Sequence, residues 1–330
     1  MSTLLALAPG ALAMDAARET ERIGSAIREG VFQRLKRKGA VLGLSGGIDS
    51  SVVAALCVRG LGRERVLGLL MPEADSSEDS LRLGRLVADV LGIPTVLEDV
   101  TPVLVAARCY ERRDEAIRKV VPEYGAGWKC KIVLPNLLDG SAYPLYSVVV
   151  RSPAGDEIRA RLTAEAYLGV VAATSFKQRA RKMIEFHHAD RLNYAVAGTP
   201  NRLEYDQGFF VKNGDGAADL KPIAHLYKTQ VYELAAYLDV PLEIQRRPPT
   251  TDTYSLPQSQ EEFYFALPYD KMDLCLYARD HGVPPAEAAA ATGLTAEQAR
   301  QVYRLIDSKR QAARYLHMPP LLVDDGAEPA

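Results

Sequence analysis

The sequence predicts an α/β fold organised on a doubly wound parallel sheet, and three observations carry that prediction. Short apolar runs at 40–44, 65–70, 95–100 and 193–197 have the length and composition of buried strands. Stretches of helical period separate the first three, and parallel strands joined by helical crossovers produce strand–helix alternation at this pace. The first run breaks into Ser45-Gly46-Gly47 and resumes as helix, the kind of join that such sheets set at the carboxyl ends of their strands, where ligands bind.

Taken in order, residues 15–37 carry Ile23, Ile27, Val31 and Leu35 at four-residue spacing, which predicts an amphipathic helix against the sheet edge. Strand 40–44 leads through the glycine turn into a helix bearing Val52, Val53, Leu56 and Cys57. Strand 65–70 ends in Met71-Pro72-Glu73, and Ser76-Ser77-Glu78-Asp79 supplies the N-cap and first-turn acids of a helix through Leu91. The third strand follows Gly92-Ile93-Pro94. Over 122–161 the helical period fails. Strand-like runs at 129–134, 146–151 and 157–162 replace it, the last two joined across Ser152-Pro153-Ala154-Gly155-Asp156 as a β-hairpin. This insertion reads equally as a lid, an interface ribbon or a decorated loop. A long helix spans 163–192, the fourth strand follows, and 208–222 is too polar and Gly-rich for a regular element. Helix resumes at 228–238, Pro248-Pro249 interrupts, and 261–316 reads as short helices with a break at Gly282-Val283-Pro284-Pro285, ending in a loose tail.

Composition sets bounds on function. A net charge of −2 over 330 residues gives no basic excess for a nucleic-acid partner. No apolar run is long enough to span a membrane, and Leu4-Leu5-Ala6-Leu7-Ala8 lacks the basic region of a cleaved signal. Cys57, Cys109, Cys130 and Cys275 have no metal-ligand spacing, so reduced, buried thiols in a cytoplasmic protein are expected. His187 and His188, adjacent on a helix, point about 100° apart and cannot share a metal. Trp128 and Phe263-Tyr264-Phe265 are expected in core or interface, and His225 has no assigned role.

The chemistry concentrates at two strand ends. Ser45, Gly46, Gly47, Ser50 and Ser51 form a phosphate cradle at a helix N-terminus, where unpaired N–H groups and the helix dipole favour anions. The lysine of a Walker A loop is absent, and Asp49 occupies its neighbourhood. A carboxylate beside phosphates requires a cation between them, which makes Asp49 a candidate Mg²⁺ ligand. The fourth strand brings Thr199 and Glu204 to the same sheet edge, so Asp49 and Glu204 could share that ion. Lys228 opens a helix, where its charge opposes the dipole unless an anion lies nearby, so a phosphate is its expected partner.

Ser45-Gly46-Gly47-Ile48-Asp49-Ser50 resembles the signature loop of N-type ATP pyrophosphatases. Further on, Gly198-Thr199-x-Asn201-x-x-Glu204, Gly208-Phe209-Phe210-x-Lys212-x-Gly214-Asp215-Gly216-x-x-Asp219 and Leu226-Tyr227-Lys228-Thr229-Gln230 resemble the ammonia-dependent NAD⁺ synthetases. Lys309-Arg310 with Pro319-Pro320 resembles that family's tail. The resemblance implies an adenine nucleotide α-hydrolase-like Rossmann variant over 1–265, with the insertion at 122–161 and a helical extension and tail over 266–330, as a homodimer. It implies ATP and Mg²⁺, attack of a substrate carboxylate on ATP, an acyl-adenylate, and displacement of AMP by ammonia. Asp49 and Glu204 take the metal positions, and Asp49, Lys228 and Lys212 the catalytic ones. Ser45, Gly46, Gly47, Asp49, Ser50, Ser51, Met71, Arg179, Thr199 and Lys228 would meet ATP. Arg179 is favoured over Arg181 because residues two apart on a helix cannot face the same way. Lys212, Asp215, Asp219 and Thr250 would face the acceptor, deamido-NAD⁺. Ammonia would come from solution or from a separate glutaminase, since no glutaminase segment is recognised. Departures from the pattern at Arg202, Asn213, Thr251-Asp252-Thr253 and 261–267 fall on acceptor-facing segments. They keep open a ligase acting on a different carboxylic acid. A tRNA-modifying pyrophosphatase would want a basic stripe or an added RNA domain.

Overall fold

A computed structural model describes residues 10–134, 146–250, 253–265 and 267–322; the apolar run at Leu4–Ala8, Thr251, Asp252 and the end of the tail lie outside them. In chain order the strands are β1 (Ala40–Gly43), β2 (Val66–Leu70), β3 (Thr95–Leu97), β4 (Lys129–Val133), β5 (Ser147–Arg151), β6 (Glu157–Arg161) and β7 (Ala195–Val196). Four of them form a parallel sheet in the order β3-β2-β1-β7. Ala40, Val41, Leu42 and all of β2 are buried, as expected for strands covered on both faces. The strand order reverses at β1, so the crevice beyond β1 and β7 is the topological switch point where such sheets bind ligands.

The helices are α1 (Ala16–Glu29), α2 (Ile48–Leu61), α3 (Glu78–Leu91), α4 (Thr101–Ala106), α5 (Cys109–Arg118), α6 (Ala164–Leu192), α7 (Arg202–Gln207), α8 (Lys228–Tyr237), α9 (Leu242–Arg246), α10 (Tyr269–Asp280), α11 (Pro285–Thr292) and α12 (Ala296–His317). Asp15 caps α1 by accepting from the Arg18 N–H at 3.0 Å, and Ile23, Ile27 and Val31 face the core at the predicted spacing. The helix runs on into a π-turn at Gly30–Arg34. Ser77 caps α3, which stops at Gly92 in the left-handed conformation. Thr163 caps the 29-residue α6, and Asn193 ends it with φ 56°.

Four expectations change. The run at 95–100 yields only three strand residues, at one edge of the sheet, and that at 193–197 only two, beyond which Ala197 bridges Leu220. The C-terminal region is not all short helices, for α12 has 22 residues. Two helices, α4 and α5, occupy a stretch for which the sequence had no predicted element. The insertion is more than a hairpin: β4 pairs antiparallel with β5, and β5 with β6. Ile132, Val148 and Val150 from this sheet, with Leu162 just after β6, share a core with Ile117 of α5 and Val170 of α6, so it is anchored rather than loose.

All four cysteines are buried and unpaired. No helix among the described residues is long and apolar enough to cross a membrane.

Candidate functional site

A cavity of about 710 Å³ opens at the carboxyl ends of the parallel strands. The β1–α2 turn, the loop after β2, α6, the β7–α7 turn, the 208–215 loop and the 248–254 segment all contribute to its wall. That volume is within the range of small-molecule and cofactor sites.

The β1–α2 turn has the shape of an anion cradle. Gly47 is the N-cap of α2 and supplies no side-chain acceptor, so the first-turn N–H groups are left for another partner. Ser50 Oγ donates to the Gly47 carbonyl at 3.0 Å and lies 3.2 Å from Ser45 Oγ, which accepts from the Gly47 N–H at 3.3 Å. Ser45, Gly47, Asp49 and Ser50 line the cavity. Gly46 and Ser51 are not among the lining residues. Gly46 has φ +71°, and a Cβ there would fall 2.7 Å from both Leu83 Cβ and the Ser80 carbonyl. Its missing side chain lets the turn press onto α3 rather than admitting a ligand. Ser51, fully buried, donates to the Gly47 carbonyl at 2.7 Å.

Two carboxylates and one ammonium meet beside the cradle. Lys228, the first residue of α8, is buried, and its Nζ donates to Asp49 Oδ2. Asn201 Nδ2 donates to Asp49 Oδ1 at 3.0 Å. Glu204 belongs to a capping box on α7, accepting from the Asn201 N–H at 3.2 Å, and its other oxygen accepts from Gln260 Nε2 at 3.0 Å. Burial, then the neighbouring charge of Asp49, pushes the Glu204 carboxyl well above its ordinary range against the pull of Lys228. Burial alone would lower the pKa of Lys228, but the charges of Asp49 and Glu204 raise it. Asp273 of α10 holds this corner by accepting from the Thr229 N–H at 2.8 Å, and burial raises its carboxyl to about 6. Among the described residues no cluster of three or more His, Cys, Asp or Glu could bind a metal. Two hard carboxylates completed by phosphate oxygens are nevertheless a donor set that suits Mg²⁺.

The remaining predicted residues divide. Met71, Thr199 and Thr250 line the cavity. So do both arginines: Arg179 reaches the Lys212 carbonyl at 3.4 Å, and Arg181 donates to the Met71 carbonyl at 3.2 Å and to Ser76 Oγ at 3.3 Å. Lys212 lines the cavity, yet its ammonium is engaged by the Tyr315 and Met318 carbonyls at the end of α12, at 2.8 and 3.1 Å. Asp215 also lines it and accepts from the Val211 N–H at 2.7 Å within its own loop, burial raising its carboxyl. Asp219 does not line the cavity; it is exposed and accepts from the Val196 N–H at 2.7 Å, fastening the loop to β7.

His188 bonds Glu98 at 2.8 Å and His225 bonds Glu19 at 2.6 Å, both away from the cavity wall. Phe265 is core as expected, but Phe263 and Tyr264 join Tyr146, Tyr167 and Tyr254 as an aromatic cavity wall. Tyr146 comes from the edge of the insertion and stacks on Tyr167 at 4.6 Å between centroids.

Sequence reasoning missed three polar groups. Lys182 and Glu185 form a buried pair at 2.6 Å in the cavity wall. Lys177, with no exposed surface, donates to Glu73 at 2.9 Å, Asp75 at 2.7 Å and the Thr253 carbonyl at 2.7 Å. Arg113 from α5 also pairs with Asp75, and the Tyr110 hydroxyl donates to Glu73 at 2.7 Å. This network ties the loop after β2 to α5, α6 and the 248–254 segment. Its signal was available: Val170, Ala173, Lys177 and Ala180 share the buried stripe of α6, and a lysine on such a stripe requires a buried partner. The third group, Arg247 after α9, lines the cavity beside Ser77 and Ser80 and had no such signal.

The NAD synthase family model matches residues 19–122 and 156–314. The chain belongs to the NAD synthase family. An NH(3)-dependent NAD(+) synthetase of Mesorhizobium japonicum is 60% identical over 311 residues, covering 94% of this chain and 98% of that protein. Two solved structures share the fold. The NH3-dependent NAD synthetase from Campylobacter jejuni aligns with a TM-score of 0.62 at 23% identity, over 94% of this chain and all of that one. The NMN synthetase from Francisella tularensis aligns at 0.64 and 20% identity, covering 94% and 98%. The NAD synthase model passes over 123–155, the segment that carries β4 and β5.

Proposed function

We propose that this protein joins ammonia to the carboxylate of deamido-NAD⁺ at the expense of ATP, releasing AMP and pyrophosphate through an acyl-adenylate. The observation that carries the reading is the meeting of Asp49, Glu204 and Lys228 beside an uncapped helix N-terminus at the switch point of the sheet. Relatives 58–60% identical over nearly the whole chain are NH(3)-dependent NAD(+) synthetases, which favours deamido-NAD⁺ over another carboxylic acid.

In this reading the N–H groups opening α2, with Ser45 and Ser50, hold the phosphates that leave. Lys228 offsets charge that develops on them, and preorganised charge of this kind is the largest catalytic term in many enzymes. Asp49 and Glu204 would hold Mg²⁺, whose bound charge neutralises phosphate oxygens. Arg179, Arg181 and Thr199 orient the nucleotide, and Met71 borders the adenosine. Lys212, Asp215, Asp219 and Thr250 belong to the acceptor side: Asp215 and Asp219 shape the loop, and Lys212 either serves from its tether on α12 or turns inward. The aromatic wall excludes water from the adenylate. We also take the enzyme to be cytoplasmic and a homodimer; sedimentation of the purified protein tests the dimer, and fractionation of cells tests the location.

Purified protein given Mg-ATP, ammonium and deamido-NAD⁺ should form NAD⁺, AMP and pyrophosphate in equal amounts. Formation of ADP and phosphate would overturn the adenylation step. Pyrophosphate release with a different acid but not with deamido-NAD⁺ would overturn the acceptor.

A further inference from the structure

We propose that Arg247 is a phosphate-binding residue of the ATP site, gripping the departing pyrophosphate from the α3 side of the cradle. The inference rests on the adenylation reading and assigns a residue that neither the sequence motifs nor the resemblance singled out.

Arg247 follows α9 directly, and its N–H is held by the Ile244 carbonyl at 3.2 Å. Pro248 and Pro249 come next, and two prolines restrict the backbone on the exit side. The side chain therefore starts from a restrained backbone. It lines the cavity, and its Nη2 lies 3.3 Å from both Ser77 Oγ and Ser80 Oγ. Those are long contacts to neutral groups, and they are the side-chain partners this guanidinium has among the described residues. Most of its donor fork is left for another acceptor.

The position places it against the cradle. Ser80, which Arg247 touches, has its carbonyl 2.7 Å from where a Cβ on Gly46 would be. Gly46 packs the turn onto α3 there, and Ser45 and Gly47 of the turn, Ser80 of α3 and Arg247 all line the cavity. Charge completes the argument. The turn has no Walker lysine, and the ammonium of Lys228 is paired with Asp49. The turn itself therefore brings little net positive charge, and Arg247 adds a cation on the α3 side to those that Arg179 and Arg181 bring from α6. A guanidinium matches two phosphate oxygens in one plane and keeps its charge at every working pH.

The test uses the full-length protein and inorganic pyrophosphate as probe. Arg247→Met should weaken product inhibition by pyrophosphate about tenfold or more and raise the KM for ATP, since a charge-assisted bond is lost. Inhibition by AMP, which lacks the leaving phosphates, should change less than about twofold against the same scale. Arg247→Gln keeps a donor for Ser77 and Ser80 without the charge and should show the same loss; Arg247→Lys should recover part of it. Unchanged pyrophosphate inhibition in either neutral variant would overturn the proposal, as would equal weakening of AMP and pyrophosphate. Product analysis of the wild type reads the adenylation step separately: ADP formation there defeats the reaction assignment, whereas the ratio of variant to wild type reads Arg247.

Discussion

Replacing Lys177 with methionine keeps the length of the side chain and removes one ammonium from the interior. Neither Lys177 nor its partner Glu73 exposes any side-chain surface, so water cannot take the place of the missing partner. Breaking a buried pair from one side costs about 3 to 5 kcal/mol, because the other charge stays buried and uncompensated. The surroundings decide where in that range the loss falls. Asp75 keeps Arg113 at 2.5 Å, while Glu73 keeps only the Tyr110 hydroxyl and the Asp75 N–H. One carboxylate is stranded rather than two, which favours the lower end, about 3 kcal/mol. Urea unfolding should show a lower midpoint with an unchanged slope. Adding Glu73→Gln removes the stranded charge and should return about 1 to 2 kcal/mol, the size of coupling between contacting residues. A loss below about 1 kcal/mol in the single variant, or strict additivity in the double one, would refute the reasoning.

Three other outcomes follow from the same geometry. Asp49→Asn should cut kcat/KM about 10² to 10³-fold in the ligase assay, while circular dichroism stays unchanged, since the amide oxygen can still accept from Lys228. Asp49→Ala should also lower stability, because buried Lys228 would then face Glu204 alone. Gly46→Ala should destabilise by more than about 1 kcal/mol, from the positive φ and the clash with α3; Gly47→Ala, with φ −88° and a nearest contact of 3.2 Å, should cost less stability than activity. The Asp273 carboxyl is raised to about 6 from 3.8, so the folded state binds this proton more tightly than the unfolded chain does. Its stabilisation is full below the unfolded value and is lost as pH rises through about 6. Relative to Asp273→Asn, the wild type should lose up to about 3 kcal/mol between about pH 4 and 7, read from unfolding at each pH.

What the sequence disclosed was periodic or local. Apolar runs marked β1, β2 and the strands of the insertion, and Ser77, Thr163 and Asp15 marked helix starts through capping chemistry alone. The cradle was legible because residue type and strand–helix context coincide within a few residues. Direction was not legible. Gly46 and Gly47 are neighbours of one type, yet one packs on α3 and the other lines the cavity, a difference set by a helix 30 residues further on. Asp219 reads like its neighbour Asp215 until β7 supplies the N–H it fastens. Arg247 gained its meaning only when α9 and α3 met, and no spacing along the chain encodes that meeting. The length of α12 was hidden by alanines and charges that suit short and long helices equally.

The insertion sheet bears on how this enzyme could be inhibited. Tyr146 stands in the cavity wall, stacked on Tyr167, yet it comes from a segment that the shared family pattern passes over. A compound built only on the nucleotide end would meet chemistry common to the family's fold. One extended until an aromatic group lay against Tyr146 would draw affinity from a surface particular to chains carrying this sheet. Selectivity would then come from the part of the cavity that the shared motifs do not describe.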